Sequence, residues 1–346
     1  MVNQGKSAHL LRLADLSQGQ LEAILETARS MKARDPHGAL SAPAPLAGRT
    51  VGMLFFRGSL RTRASFEAAV NQLGGHCVNL TAASDFWELE SREGGVMDGP
   101  APEHIKDAAA VLSRYVDAIA IRPRPAGRSW ESDRQDASIR EWAEHATVPV
   151  INMESALWHP LQALADLMTM RERLGELRGK RISLVWTRSP VPASTTVVHS
   201  TLFACLAQGM QVTIAHPGGY DLDGTLLDEA RSLAGAEALT LTDDLEQAAN
   251  GAHIIYGRSW NSLEVYGNET LAANRLARTS GWLIDEGLLQ RGDDAALMHA
   301  MPVRRNLEAS DEVLDGPRSL LYDQAENRLH TQKALLANLL GPREDA

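Results

Sequence analysis

Short apolar runs alternate with amphipathic stretches along almost the whole chain. Strand-like runs fall at 50–56, 76–80, 117–122 and 148–153, and again at 181–186, 211–216, 253–258, 281–285 and 296–299. Helical patterns fill the gaps, at 64–73, 104–116, 194–208 and 223–234. Short apolar strands separated by amphipathic helices predict parallel sheets covered on both faces. A longer helical pattern at 159–174 interrupts the alternation, so the prediction is two doubly wound α/β domains bridged by that helix. A final amphipathic helix, 323–340, stops at Gly341-Pro342. No internal repeat or low-complexity tract is present, and 123–129 reads as a local loop.

Composition narrows the picture. A chain of 346 residues is too long for one ordinary core, which agrees with two domains. A net charge of −10 argues against general nucleic-acid binding and requires local cations wherever an anion is bound. Arg61, Arg63, Arg122, Arg304 and Arg305 are the candidates for that task. Cys77 and Cys205, far apart and in no metal-like spacing, point to a reducing compartment without a disulfide framework. No apolar run is long enough to span a membrane, and Met1 to Ser7 is polar, unlike a signal peptide. The expectation is a cytoplasmic protein that binds neither membrane nor nucleic acid.

The chemistry concentrates at junctions between elements. Ser59-Leu60-Arg61-Thr62-Arg63 links the strand-like 50–56 to the helical 64–73. A helix N-terminus bearing hydroxyls and guanidiniums makes a phosphate cradle, and without the glycines and lysine of a P-loop it is a different kind of cradle. A capped helix with exposed arginines accounts for the same five residues. Arg122 ends a strand, where open α/β sheets place ligands, although a surface arginine fits there too. His159 and Gln162 lie three apart on one helix face. His299-Ala300-Met301-Pro302-Val303-Arg304-Arg305 follows the last strand-like run.

These three segments, in this order and spacing, resemble the aspartate/ornithine carbamoyltransferase family, whose signatures are S-x-R-T-R, H-P-x-Q and H-x-x-P-x-R. The resemblance runs from about residue 8 to 340. Phe55-Phe56, Gln72-Leu73-Gly74-Gly75-His76, Val96-Met97-Asp98-Gly99, Val150-Ile151-Asn152-Met153-Glu154 and the stretch from Glu326 to Lys333 are similar to the N-acetylornithine and N-succinylornithine branches. The resemblance implies a carbamoyl phosphate domain of residues 1–155 plus 323–346, with the C-terminal helix returning to it. It implies an amino-acid domain of 156–322. It also implies a homotrimer with shared active sites, no cofactor and no metal. Trp87, otherwise a partly buried anchor, would reach into the neighbouring subunit's site. Trp186 to Thr195, rigid through Pro190 and Pro192, would surround the segment from Arg258-Ser259-Trp260 onward as a knot; a stiff turn is the plain alternative.

By family match, Ser59, the Leu60 N–H, Arg61 and Thr62 would hold the phosphate. Arg122 would reach the phosphate and carbonyl oxygens, His159 would donate to the carbonyl, and Gln162 would fix the amide. Backbone carbonyls of Ala300 and Met301 would receive the carbamoyl NH2 group, with Arg304 completing the signature. Ala300 stands where the family usually has cysteine, which counts against plain ornithine as acceptor. On the acceptor side the expected residues are Pro102, Glu154, Ser194, Arg258, Ala300 and Glu308, with Arg188 a further candidate. Succinylornithine enzymes have proline where acetylornithine enzymes have glutamate, and here that position is Pro102, which would otherwise be a helix N1 residue. Arg258 replaces a family lysine, Glu308 another that can be carboxylated, and Ser194 an asparagine. The expected reaction is carbamoyl transfer from carbamoyl phosphate to the side-chain amine of an N-acylornithine in arginine biosynthesis, succinyl favoured over acetyl. The alternatives are a carbamoyltransferase for ornithine or another amine, and a catalytically degraded ligand-binding paralogue.

Overall fold

The computed structural model describes residues 8–34 and 44–342; the polar lead-in at 1–7 lies outside them. The chain divides into two compact units. The first takes the described residues up to Pro125, then Gln135–Leu161, and the chain from Arg328 on. The second takes Ala126–Arg134 and Gln162–Asn327. No helix among the described residues is long and apolar enough to cross a membrane.

In the first unit the strands are β1 (Thr50–Phe55), β2 (His76–Thr81), β3 (Leu89–Glu90), β4 (Glu103–His104), β5 (Ala118–Arg122) and β6 (Val150–Asn152). A four-stranded sheet has the order β2-β1-β5-β6, every pair parallel. Its core packs Leu54, Ile119, Ile121 and Val150 with Ile105 and Ala109 of one helix and Ile139 and Trp142 of another. The strand residues and Ile105 and Ala109 fall in segments expected from the sequence, whereas the helix Ala137–His145 was not anticipated. β1 has its successor β2 on one side and β5 on the other, so strand order reverses between β1 and β5. Open α/β sheets leave a crevice at such a reversal, at the strands' carboxyl ends. Phe55 pairs with Arg122 in register, which sets the loop after β1 beside the end of β5.

The second unit repeats the plan with β7 (Arg181–Trp186), β8 (Gln211–Ala215), β9 (Leu239–Thr242), β10 (Ile254–Arg258) and β11 (Ala296–Met298). The order is β11-β10-β7-β8-β9, again all parallel. Val185, Ala215, Ile255 and Leu297 pack with Ala248, Ala249, Leu288, Leu289 and Val313. The reversal lies between β7 and β10, where Trp186 and Arg258 are in register. The expected strand at 281–285 does not form. Ile284 instead bonds the backbone of Glu308 and Ser310, and Asp285 accepts from the Leu288 N–H as a helix cap. β9, not anticipated, is a short edge strand of alternating leucine and threonine.

The helix Pro160–Leu174 starts with proline at its first position, where no intrahelical N–H bond is lost. It is buried from Pro160 to Met170, so it is a core helix rather than an amphipathic surface one. The last helix, Leu321–Leu340, begins in the second unit and belongs to the first from Arg328. The proline-rich segment lies along the chain that follows β10. Trp186 Nε1 donates to the Trp260 carbonyl (2.9 Å), Thr187 N–H to the Arg258 carbonyl (3.1 Å), and Asn261 N–H to the Ala193 carbonyl (3.3 Å).

Candidate active site

In the first unit the helix Leu60–Gln72 starts directly after β1. Ser59 is its N-cap, with Oγ accepting from the Thr62 N–H at 3.3 Å. The expected cap is formed, and it stands where the sequence analysis expects the phosphate cradle. The first-turn N–H groups have no i−4 acceptors in the helix, and the positive end of its dipole lies here. Leu60 is an apolar side chain left 79% exposed, so its place is governed by its backbone.

Thr62 is the hub of this half. Its Oγ1 accepts from Arg122 at 3.4 Å and from Arg328 at 2.8 Å. Arg122 also donates to the Met153 carbonyl (3.3 Å) and is ion-paired to Glu154. Arg57 is the second partner of Glu154, at 3.4 Å from its carboxylate and 3.1 Å from its carbonyl. One buried carboxylate thus gathers two guanidiniums. Glu154 has φ 144, outside the usual range for a side-chain-bearing residue. It is fixed by buried Asn152, whose Oδ1 accepts its N–H at 2.9 Å and whose Nδ2 donates to the Leu11 carbonyl and Ser155 Oγ.

His159 closes this loop and is buried. Burial pushes its pKa well below the usual histidine range, and the charges of Arg328, Arg122 and Arg57 push the same way against Glu154. The ring is neutral at pH 7 and can donate one N–H.

Two of the five candidate cations serve elsewhere. Arg63 lies over the Phe55 ring at 4.0 Å and bonds Thr81 (2.9 Å) and Asn79, tying the helix to β2. Arg305 is paired with Asp311 and Asp315. Arg57 and Arg328 take their place in the count. Neither was singled out as a functional residue from sequence. A signal for Arg328 existed: it lies in the stretch Glu326 to Lys333 that carries the resemblance, and the structure buries Asn327, Arg328, His330, Thr331, Gln332 and Lys333 of that stretch.

In the second unit the groups stand at the carboxyl ends of β7, β10 and β11. Gln162, in the first turn of the long helix, donates from Nε2 to Asp166 at 2.8 Å. After β11 comes a tight turn. His299 Nδ1 accepts the Met301 N–H at 2.9 Å, and Met301 has φ 57, in the left-handed region. The Met301 carbonyl accepts from Arg258 at 3.3 Å. Because Nδ1 accepts a backbone N–H, the ring proton sits on Nε2, which donates to Glu308 at 2.9 Å. Both residues are buried, so Glu308 anchors His299. Gly257 makes room for this, since a Cβ there would lie 2.7 Å from Ile284 Cδ1 and 3.3 Å from His299 Cδ2.

Arg304 Nε donates to Ser189 Oγ (3.0 Å), joining the turn to the segment after β7. Ser194 pairs with Thr196 at 2.9 Å, and Arg188 Nε donates to the Thr279 carbonyl at 3.1 Å. Ala300 is buried beside His299. Glu154 and Glu308, both expected on the acceptor side, are thus each engaged with a basic side chain of their own unit. Trp87 is 62% exposed, and Pro102 is an exposed residue before β4. Pro102 is not a helix N1 residue, because the next helix begins at Ile105 with His104 as cap. Among the described residues no group of three or more histidine, cysteine or acidic side chains is placed to hold a metal.

Comparison with known proteins agrees with this layout. Residues 8–172 match the carbamoyl-P binding domain, and residues 180–339 the Asp/Orn binding domain, of aspartate/ornithine carbamoyltransferases. The chain is 38% identical to N-acetylornithine carbamoyltransferase of Xanthomonas campestris pv. campestris, over 96% of this chain and 98% of that one. It is 40% identical to ornithine carbamoyltransferase of a Parafrankia species, over 96% of each. The crystal structure of acetylornithine transcarbamylase complexed with acetylcitrulline superposes with a TM-score of 0.90 at 37% identity, covering 96% of this chain and 99% of that one. An N-acetyl-L-ornithine transcarbamylase with one glutamate changed to proline, complexed with carbamyl phosphate and N-succinyl-L-norvaline, gives 0.89 at 38%, over the same shares. With signatures, both sheets and both domains in agreement from end to end, the chain belongs to the aspartate/ornithine carbamoyltransferase family.

Proposed function

We propose that this carbamoyltransferase moves the carbamoyl group of carbamoyl phosphate to the side-chain amine of an N-acylated ornithine, N-succinylornithine in preference to N-acetylornithine. The observation that carries the donor half is the meeting of Arg122 and Arg328 on Thr62 at a helix N-terminus. Two guanidiniums and first-turn N–H groups suit a phosphate dianion in a protein whose net charge is −10.

The amine's lone pair attacks the carbonyl carbon, and a tetrahedral oxyanion forms. The carbon–oxygen bond to phosphate then breaks with its electron pair leaving on the phosphate, and the proton lost by the attacking nitrogen passes to the departing phosphate. Arg122 and neutral His159 stabilise the oxyanion, and Ser59, Thr62 and Arg61 hold the departing phosphate. Gln162 and the Ala300 and Met301 carbonyls accept from the carbamoyl NH2 group. On the acceptor side, Arg258 pairs with a substrate carboxylate.

The relatives carry both acetylornithine and ornithine names at similar identity, so names alone do not choose the acceptor. Pro102 supports succinyl: it offers no carboxylate to repel a second substrate carboxylate, and a relative with proline in place of one glutamate was crystallised with a succinylated amino acid. The reading includes a homotrimer in which Trp87 of one subunit serves its neighbour, and a knot made by the proline-rich segment. Arginine biosynthesis is its metabolic setting.

The test is product formation with ornithine, N-acetylornithine and N-succinylornithine, by the wild type and Pro102→Glu. Succinylornithine should give the highest kcat/KM, and Pro102→Glu should move preference towards acetyl. A best rate with free ornithine, or an unchanged ratio in the variant, contradicts the acyl assignment. Absence of turnover with all three, alongside carbamoyl phosphate binding, would indicate a sensor.

A further inference from the structure

Asp166 is wholly buried in the helix that carries Gln162, and four donors converge on it. Gln162 Nε2 (2.8 Å) and Gln324 Nε2 (2.6 Å) reach one carboxylate oxygen, and the hydroxyls of Thr201 (2.8 Å) and Tyr256 (3.2 Å) reach the other. Gln324 Nε2 also donates to the Tyr256 hydroxyl (2.9 Å), and Gln324 Oε1 accepts the His299 N–H at 2.9 Å. Every direction in this network is fixed. A backbone N–H can only donate, so the oxygen of Gln324 faces His299 and its NH2 faces the carboxylate. The carboxylate oxygen that already accepts the Gln324 NH2 faces Gln162 as an acceptor, so Gln162 presents its NH2 to Asp166 and holds its carbonyl oxygen on the other branch. Burial pushes the Asp166 pKa up, and the converging donors oppose this.

This has a chemical consequence. A carbamoyl NH2 group needs acceptors, and carbamoyl phosphate differs from inorganic phosphate in carrying that group. With its amide reversed, Gln162 would offer donors where acceptors are required. The same carboxylate, through Gln324, holds the backbone N–H at the head of the Ala300-Met301 turn. We propose, resting on the carbamoyl transfer reading above, that Asp166 is a positioning residue that gives the site its discrimination between carbamoyl phosphate and inorganic phosphate, by fixing the orientation of the Gln162 amide and, through Gln324, the His299 turn.

The test compares Kd for carbamoyl phosphate with Kd for inorganic phosphate, alongside kcat and KM. Asp166→Ala should weaken carbamoyl phosphate at least tenfold and leave inorganic phosphate within about twofold, because the groups assigned to phosphate lie in the other unit. Asp166→Asn should recover most of the discrimination. Its carbonyl can accept both glutamine NH2 groups, while its own NH2 donates to hydroxyls that rotate to accept. Gln324→Leu leaves the Asp166–Gln162 bond in place and should lose only part of the discrimination. It also replaces Asp166→Ala if that variant does not fold. Unchanged discrimination in these variants, or both ligands weakening in step with thermal stability, overturns the proposal. A wild type that neither binds nor turns over carbamoyl phosphate fails the reading beneath it instead.

Discussion

Replacing Glu154 by glutamine separates two roles for this residue. Its side chain is 6% exposed and its partner Arg122 is 11% exposed, with Arg57 at 3.4 Å from the same carboxylate oxygen. Removing one charge from a buried pair costs about 3–5 kcal/mol, and glutamine keeps an acceptor oxygen, so about 3 kcal/mol is expected. For a unit of this size that is roughly 6–12 °C in Tm. The same change releases positive potential for a phosphate dianion and removes a competing anion, so inorganic phosphate should bind about tenfold tighter, a gain of about 1.4 kcal/mol. Thermal unfolding is followed with and without saturating phosphate, with Kd measured by calorimetry. The variant should melt lower than wild type, and phosphate should close roughly half of the gap. An equal drop in Tm with and without phosphate, with a raised KM for the acceptor alone, would refute the counter-ion reasoning and return Glu154 to the acceptor side.

Arg61→Ala should lower kcat/KM by about a hundredfold or more with little change in Tm, because the proposed function assigns the residue to the phosphate rather than to the core; near wild-type turnover would remove it from the site. His159 makes ligand-free stability depend on pH. Its folded pKa lies below the unfolded value of about 6.5, so the unfolded chain takes up the proton first. Stability from this group is full above that pH and falls as pH drops below it, by up to about 1.4 kcal/mol per unit. Chemical denaturation between pH 5 and 8 should show the slope in wild type and its loss in His159→Asn; parallel curves would contradict the neutral buried ring. Cys77, whose thiol burial and Glu67 push up to about 12, should react with iodoacetamide at pH 8 far more slowly than a free thiol; rapid labelling would contradict that environment.

Much of this was legible in the sequence, for a physical reason: strand and helix periodicity is local, and so is cap chemistry. The run before Ser59 and the helix after it announce both the crevice and the cradle. What stayed hidden depends on contacts between distant positions. Thr62 and Arg328 meet across 266 residues, and neither residue's neighbours say so. Glu154 is expected on the acceptor side, and its pairing with Arg57 and Arg122 was not foreseen. Glu308 is expected there too, and its bond to His299, which fixes the tautomer of that ring, was not foreseen. In both cases sequence supplied a charged residue near a motif, and only geometry supplied its partner. The segment 281–285 has the apolar content of a strand, but Asp285 caps a helix and Ile284 pairs instead with the chain around Ala309.

Calorimetric titration of the purified chain with carbamoyl phosphate, beside the Arg61→Ala variant, tests the central claim most directly. The account predicts saturable binding to wild type, weakened at least tenfold in the variant and weakened in both as salt rises. No heat of binding with the wild type, or equal affinity in wild type and variant, would contradict it.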